Sequence, residues 1–524
     1  MRNIEFHFFS KSHLSIFVLV FCSTIFTCCS KESITPITDP GNHEDFVKNI
    51  YVSALGNDSN TGTVNAPVKT IQKGLGLINP GDTVFVREGV YKEKISFNRS
   101  GNNNSYITLK AYPGEKATIS GDGLSVNGDE SLITLNAVSW ITIEDLDICN
   151  FKTFNAWANV DGIVVKGASN HIIIRKNRVF NIENNATPEQ GRSGHAIAII
   201  GNTEIPITKV LVEGNEIFDC NTGYSENLTI NGYVDGFEIR NNKVYNGENI
   251  GIVAAGGYSA NSIPAYNYAR NGIIADNEVF DMDGKKGPIP AYSEHNGAIG
   301  IYVDGARNII VERNKVHDCG RGIGIVSETD HFPTQECIVR NNFVFNCSLA
   351  GISLGGYIGY TGGGTNQCYV INNTIYQNNR DLGYFDEVEG EIRLTENCSN
   401  NVIQNNIIYA RPENNVCIHK YTSTGSNNQI NYNLYYSTGT VRWIWNGTEY
   451  TNFDEWKSAC DGDRSSMNEK NPLFVNTTIP DLHIQTLSPA KNAGMPFSTE
   501  INGQTDIDGQ PRIVNNQISM GAQQ

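Results

Sequence analysis

Residues 300–331 read GIYVDGARNIIVERNKVHDCGRGIGIVSETDH. The segment states one phrase twice: Gly300-Ile301-Tyr302-Val303-Asp304 reads like Gly324-Ile325-Val326-Ser327-Glu328, so a carboxylate recurs after 24 residues. Between the two lie a short apolar run, Asn308-Ile-Ile-Val-Glu312, and the motif Asn314-Lys-Val-His317. That motif, Asn-x-(Val/Ile/Tyr)-(aromatic or His), occurs nine times, at Asn177, Asn215, Asn242, Asn277, Asn314, Asn342, Asn373, Asn406 and Asn433. The intervals are 38, 27, 35, 37, 28, 31, 33 and 27 residues, rising from a floor of 27. A coil of fixed circumference with loop insertions gives such a series. Each repeat holds two or three alternating apolar stretches, each suited to a strand with one buried face. Such strands cannot bury their faces alone, whereas stacked repeats bury a continuous core. The asparagine suits a turn position with left-handed backbone, and stacked asparagines can bond side chain to side chain along the solenoid.

Composition agrees. Charged residues make up 18% and hydrophobics 39% of the 524 residues, and glycine is high at 51, which disfavours disorder and long helices. A net charge of -16 excludes nucleic acid as a partner, because phosphate binding needs a basic face. Of twelve cysteines, Cys22, Cys28 and Cys29 lie in the N-terminal apolar run. Several others keep the repeat register: Cys220, Cys319 and Cys347 five residues after the repeat asparagine, Cys337 and Cys368 five before. These read as reduced core residues, with disulfides Cys319–Cys347 and Cys337–Cys368 as the alternative.

Arg2, Lys11 and His13 precede an apolar run over residues 14–28, followed by Cys29-Ser30-Lys31-Glu32. This resembles a lipoprotein signal of Bacteroidetes type, with Cys28 (or Cys29) as the lipidated residue and an ordinary signal peptide as the alternative. The resemblance implies export and a lipid anchor at the outer membrane or cell surface. The expected organisation is a signal over 1–28, a tether over 29–48, an N-terminal cap and first coils over 49–130, repeats over 131–440 and a C-terminal capping segment over 441–524.

The repeat pattern resembles the right-handed parallel β-helix proteins, including pectate-lyase-like polysaccharide lyases and β-helical glycoside hydrolases. Tyr51-Val-Ser53, Gly56-Asn-Asp58, Gly62-Thr63, Pro67, Thr70-Ile-Gln72, Gly81-Asp-Thr-Val84 and Gly89-Val-Tyr91 match the N-terminal segment of the secreted members. Asn471-Pro-Leu-Phe474, Leu487-Ser-Pro-Ala490, Asp506-Ile-Asp-Gly-Gln-Pro-Arg512 and Met520-Gly-Ala522 match their terminal segment. The expected fold is therefore all-β, a right-handed parallel β-helix solenoid. Residues 70–77 form a helical cap over one end, since a bare end is an unpaired sheet edge. Residues 441–470, with Trp443, Trp445 and Trp456, fold over the other end.

If the two phrases of the opening segment are equivalent strands on adjacent coils, Asp304 and Glu328 are stacked neighbours about 4.8 Å apart. Tyr302, Asp304, Val326 and Glu328 then face outward, in line with Lys166, Asn231, Ala255, Gly355 and Thr395 of other coils. Paired like charges raise one pKa and disfavour a purely structural role. Asp330 and His331 follow Glu328, and Glu294 and His295 lie in the preceding long loop. Arg321 and Arg393 supply charge, and Tyr357 and Tyr360 of a glycine-rich loop supply an aromatic wall. His195 and His419 read as remote surface residues.

Three readings follow. As a lyase acting by β-elimination on a uronate glycan, the resemblance implies Asp304, Glu328 and Asp330 as calcium ligands. His331, His295 or Tyr302 are then base and acid, and Arg393, Arg321, Tyr357, Tyr360 and Glu294 hold the substrate. The lysine base of some pectate-lyase relatives has no match, because Lys166 lies four coils away, roughly 19 Å. As a retaining glycosidase, Asp304 is nucleophile and Glu328 acid/base, at the separation of about 5–5.5 Å that reaction needs. As a binding solenoid, the acids are solvated surface groups. The lyase is the leading expectation, for a monomer with a poly- or oligosaccharide partner and membrane contact only through its anchor.

Overall fold

A computed structural model describes residues 48–103 and 105–524. The signal, Cys28 and the tether before residue 48 lie outside the described residues. Three parallel sheets of 16, 13 and 13 strands run the length of the chain, and successive coils place one strand in each. This is the expected parallel β-helix. Its interior is a continuous column of Ile, Val and Leu, such as Ile163, Ile197, Leu228, Ile252, Ile301, Ile323, Ile352 and Ile392, all fully buried.

The nine repeat asparagines form one internal ladder. Each Nδ2 from Asn177 to Asn406 donates to Oδ1 of the next asparagine at 2.9–3.1 Å, ending on Asn433. The left-handed residue is the one before the asparagine, as at Lys176, Gly214, Asn241, Asp276, Arg313, Asn341, Asn372, Asn405 and Tyr432. The expectation of a left-handed asparagine is thus corrected by one position. The corner bends at the preceding residue, and this turns the amide inward to the ladder. The aromatic that closes each motif stacks outside: Phe180, Phe218, Tyr245, Phe280, His317 and Phe345 follow one another at 4.7–5.3 Å between ring centroids.

The nine described cysteines are free and buried. Helix Ile71–Leu75 covers the first coil, with Thr70 accepting the Lys73 amide and Ile71 and Leu75 turned into the core. At the other end, strand Arg442–Trp445 and helix Phe453–Ala459 bring Trp443 and Trp456 into a stack, both fully buried. Residues 471–524 do not continue that cap. Phe474, Leu482, Ala490, Met520 and Ala522 instead cover Phe343, Phe345, Tyr376, Ile407, Tyr409 and Leu434. Those outward aromatic and aliphatic side chains of the last coils need a cover, and the returning chain supplies it.

Candidate active site

The sheet that carries the opening phrase contains strands Ile250–Ala255, Ile299–Asp304, Arg321–Ser327, Ile352–Gly356 and Ile392–Leu394 in consecutive coils. Tyr302 pairs with Gly324, and Asp304 with Val326. The register interval here is 22 residues rather than 24, because Gly322-Ile-Gly-Ile offers two overlapping copies of the same phrase. Asp304 therefore stands in one column with Lys166, Asn231, Ala255, Val326 and Gly355, with Thr395 against Gly355. Glu328 does not stand in it. The expected stacking of the two acids is corrected: Glu328 follows the end of its strand.

The acids meet all the same. The turn after Ser327 folds back, with the Ser327 hydroxyl donating to the carbonyls of Thr329 and Phe332 at 2.8 and 2.9 Å. That turn brings the Glu328 amide to Oδ1 of Asp304 at 2.8 Å. Tyr302 donates its hydroxyl to Glu328 Oε1 at 2.7 Å. The hydroxyl of Tyr258 contacts both acids, Oδ2 of Asp304 and Oε2 of Glu328, the latter at 3.0 Å. Two oxygens that share one phenol lie no more than about 6 Å apart. Tyr360 donates to the Glu328 carbonyl and anchors the turn from the next coil.

Asp304 is 1% exposed. Burial first, and then the charge of Glu328, push its carboxyl well above the usual carboxylate range. One phenol hydrogen cannot serve two carboxylates, so one contact of Tyr258 needs a carboxyl proton. Asp304 carries that proton. The chain of bonds is then Asp304 to Tyr258 to Glu328, with the open carboxylate on Glu328. Burial, followed by the neighbouring acids, also raises the phenols of Tyr258 and Tyr302 far above their ordinary value. Both are donors at neutral pH.

Glu328 and Tyr302 line a cleft of 480 Å³ with Tyr292, Tyr357, Tyr384, Phe385, Arg321, Arg393 and Glu389. Arg321 is not a free substrate ligand. Its Nε and Nη2 form a buried two-pronged pair with Glu389 at 2.7 and 2.5 Å. Burial alone would raise the Glu389 carboxyl, but Arg321 and then Arg393 bring it down to about 2. Arg393 approaches Glu389 only at 3.8 Å, and its Nε is buried without a hydrogen-bond partner. One acid thus faces two guanidinium groups, and this corner of the cleft is positive.

Other expectations are corrected. Asp330 turns its carboxylate into the glycine-rich loop, accepting the amides of Thr361, Gly362 and Gly363 at 3.2, 2.8 and 2.6 Å. It is not beside Asp304 and Glu328, so the trio named as calcium ligands does not form. Among the described residues no group of three or more His, Cys, Asp or Glu could hold a metal ion. The His331 side chain is 74% exposed, outside the residues that line the cleft. His295 stacks on Tyr384 at 4.8 Å, one layer behind the lining, and Glu294 is exposed to solvent. Tyr357 is in the wall, whereas Tyr360 serves the Glu328 turn. Neither remote histidine is a surface residue: His195 lies between Asp161 and Glu226, and His419 is 2% exposed.

Sequence reasoning missed Tyr258, Tyr292 and Tyr384. One signal was readable. Gly256-Gly-Tyr258 and Gly355-Gly-Tyr357 repeat at strand ends on either side of the acid pair.

Comparison with known proteins bears on the fold. Residues 50–250 match the Pel9A-like right-handed β-helix region, and residues 291–455 match the right-handed β-helix region. Tyr302, Asp304, Glu328, Glu389 and Arg393 fall in the second, more general match. The uncharacterized protein YwoF of Bacillus subtilis is 31% identical over 458 residues, 86% of this chain and 93% of YwoF. Pectate lyase PEL9 of Emericella nidulans is 30% identical over 127 residues, 23% of this chain and 31% of that enzyme. Among solved structures, XylC in complex with xylose aligns over 91% of this chain and 98% of its own, at 13% identity and a TM-score of 0.49. The ladder, the three parallel sheets and the match to YwoF across most of both chains place this chain in the right-handed parallel β-helix family with a Pel9A-like N-terminal half.

Proposed function

We propose that the protein is a carbohydrate-active enzyme, a carbon–oxygen lyase that acts on a uronic-acid-containing glycan with Glu328 as base. The observation that carries this reading is the division of labour between the acids. Glu328 opens on the cleft as a carboxylate with two phenol donors behind it, and an arginine with an unpartnered Nε lies across the same cleft. Arg393 suits the uronate carboxylate. Its charge stabilises the extra negative charge that develops when the neighbouring carbon loses its proton. In the elimination, the C5–H bond breaks and its proton goes to Glu328. The electron pair forms the C4–C5 double bond, the C4–O bond breaks, and Glu328 returns the proton to the leaving oxygen. The leaving group is a sugar or water. Similarity to a pectate lyase over the shared β-helical stretch supports the substrate class.

One observation favours a second reading, a retaining glycosidase. The acids share a phenol at a separation compatible with nucleophile and acid/base. Against it, Asp304 is buried, and both its oxygens are engaged by Tyr258 and the Glu328 amide. A screen on uronate and neutral glycans that follows ultraviolet absorbance of the unsaturated product and new reducing ends separates the readings. Absorbance establishes elimination, and absorbance without new reducing ends identifies water as the leaving group. Reducing ends alone move the assignment to hydrolysis. Silence in both channels leaves a binding solenoid.

The same proposal places the enzyme at the outer membrane or cell surface through a lipid on Cys28. Labelling with a palmitate analogue that persists in Cys28→Ala, and disappears only when Cys29 is also replaced, would transfer the anchor to Cys29.

A further inference from the structure

The cleft continues, on the side of the earlier coils, into a pair of tyrosines that the elimination does not use. Tyr292 lines the cleft, and Tyr224 meets it edge to face, with ring centroids 6.0 Å apart and planes at 87°. Tyr224 is 43% exposed. The two rings belong to different loops, the turn before strand Glu226–Gly232 and the long loop before strand Ile299–Asp304. Two coil rises, about 10 Å, separate those strands.

A single buried carboxylate holds both loops. Glu248 Oε2 accepts the amide of Gly223 at 3.2 Å, and Oε1 accepts the amide of Ala291 at 2.6 Å. Gly223 and Ala291 are the residues immediately before Tyr224 and Tyr292. Arg192 balances the charge, 2.6 Å from Glu248, and both side chains are within 1% of complete burial. The same guanidinium donates to Asn221 Oδ1 in the first loop and to the Ile289 carbonyl in the second. The Tyr292 ring lies against Gly284 and Gly297, where an added Cβ would come within 2.2 and 3.1 Å of it.

Burying an ion pair costs desolvation that a hydrophobic pair would avoid, so its return is the arrangement it fixes. Here it fixes two aromatic rings at the rim of a cleft, one of them open to solvent. A lone exposed aromatic needs no explanation, but this one is held rigidly against a ring that lines the site. Rigid tyrosines offer contact area at low entropic cost, with a hydroxyl for a polar partner. A pyranose ring has that character, an apolar C–H face and polar edges.

We infer that Tyr224 and Tyr292 form a second sugar-binding position, which takes a pyranose ring of the same glycan chain beyond the residue that reacts at Glu328. Arg192 and Glu248 are its positioning residues. The inference rests on the uronate-glycan reading above. It makes the enzyme selective for chains long enough to span both positions.

The test uses galacturonate and mannuronate oligomers of two and six residues, titrated calorimetrically into the Glu328→Gln protein, with turnover of the same oligomers followed in the active protein. In the Tyr224→Ala variant the preference for six residues over two, in affinity and in kcat/KM, is expected to fall about tenfold, which is about 1.4 kcal/mol. Tyr224→Phe, which keeps the ring, retains the preference. Oligomers that bind and react with a preference unmoved by Tyr224→Ala would overturn the second position and leave the lyase reading intact. Failure of every oligomer to bind the Glu328→Gln protein or to react with the active one would overturn both.

Discussion

The amide of Glu328 donates to Oδ1 of Asp304 at 2.8 Å, although the two residues sit two register positions apart in the sheet. This bond makes Asp304 a support for Glu328 rather than its equal. The expected consequence is an asymmetry between conservative variants. Glu328→Gln removes the base and lowers kcat/KM about 10³-fold. Asp304→Asn keeps an acceptor for the Glu328 amide and a donor toward Tyr258, and lowers kcat/KM only about tenfold. Asp304→Ala, which keeps neither, falls between them. Equal loss in Asp304→Asn and Glu328→Gln would instead mark Asp304 as a nucleophile.

The proton on Asp304 sets a sign for the pH dependence. Its carboxyl is raised by burial first and by Glu328 second, so it is protonated below its folded pKa and loses the proton as pH rises through it. Loss breaks the bond to Tyr258 and puts a second negative charge against Glu328. Activity is therefore expected to fall on an alkaline limb. A profile of log kcat/KM against pH should show that limb in the wild type and lack it in Asp304→Asn. The same limb in both proteins would assign it to another group.

Glu391 provides a parallel test of stability. Its side chain is fully buried, with Oε1 unpartnered and Oε2 accepting from Asn378 at 2.7 Å. Burial outweighs that bond and pushes the carboxyl up to about 8. The folded state then binds a proton that the unfolded chain releases near its ordinary value of 4.5. The favourable contribution is complete below that value and is lost as pH rises through about 8. Glu391→Gln should match the wild type in Tm at acid pH and exceed it increasingly toward pH of about 8 and above, by on the order of a few kcal/mol. A difference in Tm that is flat with pH would show that Glu391 does not titrate in this window.

The fold was legible because it is written many times. Nine asparagines with a floor of 27 residues between them leave few architectures, and the ladder they form is the observed one. The column from Lys166 through Asp304 to Thr395 was legible for the same reason: inward and outward positions alternate in every coil. Glu328 was misplaced because Gly322-Ile-Gly-Ile-Val-Ser-Glu328 fits two registers, and only pairing with the neighbouring strands chooses between them. The fates of Asp330, Arg321 and His331 were not legible. Loop backbone geometry decides them, and loops carry no repeat. Asp330 meets three amides of a loop about thirty residues later, and Arg321 meets a glutamate 68 residues on. Tyr258 was overlooked for a different reason. It is an insertion residue beyond its strand, on a coil that has alanine where its neighbour has Asp304.

The ladder predicts where the solenoid is least tolerant of change. Asn314 Oδ1 accepts from both the amide and Nδ2 of Asn277 at 3.0 Å, while its own Nδ2 donates to the Ile274 carbonyl and to Asn342 Oδ1 at 2.9 and 3.0 Å. Asn314 is fully buried, and no water can replace it without a cavity. Asn314→Ala leaves two donors and one carbonyl without their partner. Each such buried group costs about 1–3 kcal/mol, so the variant should lose about 3–5 kcal/mol in urea unfolding. Asn314→Asp keeps the acceptor but turns an oxygen toward Asn342 Oδ1 and adds a buried charge, and it should be no better. Asn308, four positions beyond Asp304, also bonds an asparagine of the adjacent coil, Asn271, at 2.6 Å, but on the outer, part-exposed side. Asn308→Ala should cost about 1 kcal/mol or less, because water takes over the bond. Equal destabilisation at Asn308 and Asn314 would show that hydrogen bonding between coils, rather than burial of the inner ladder, sets the cost.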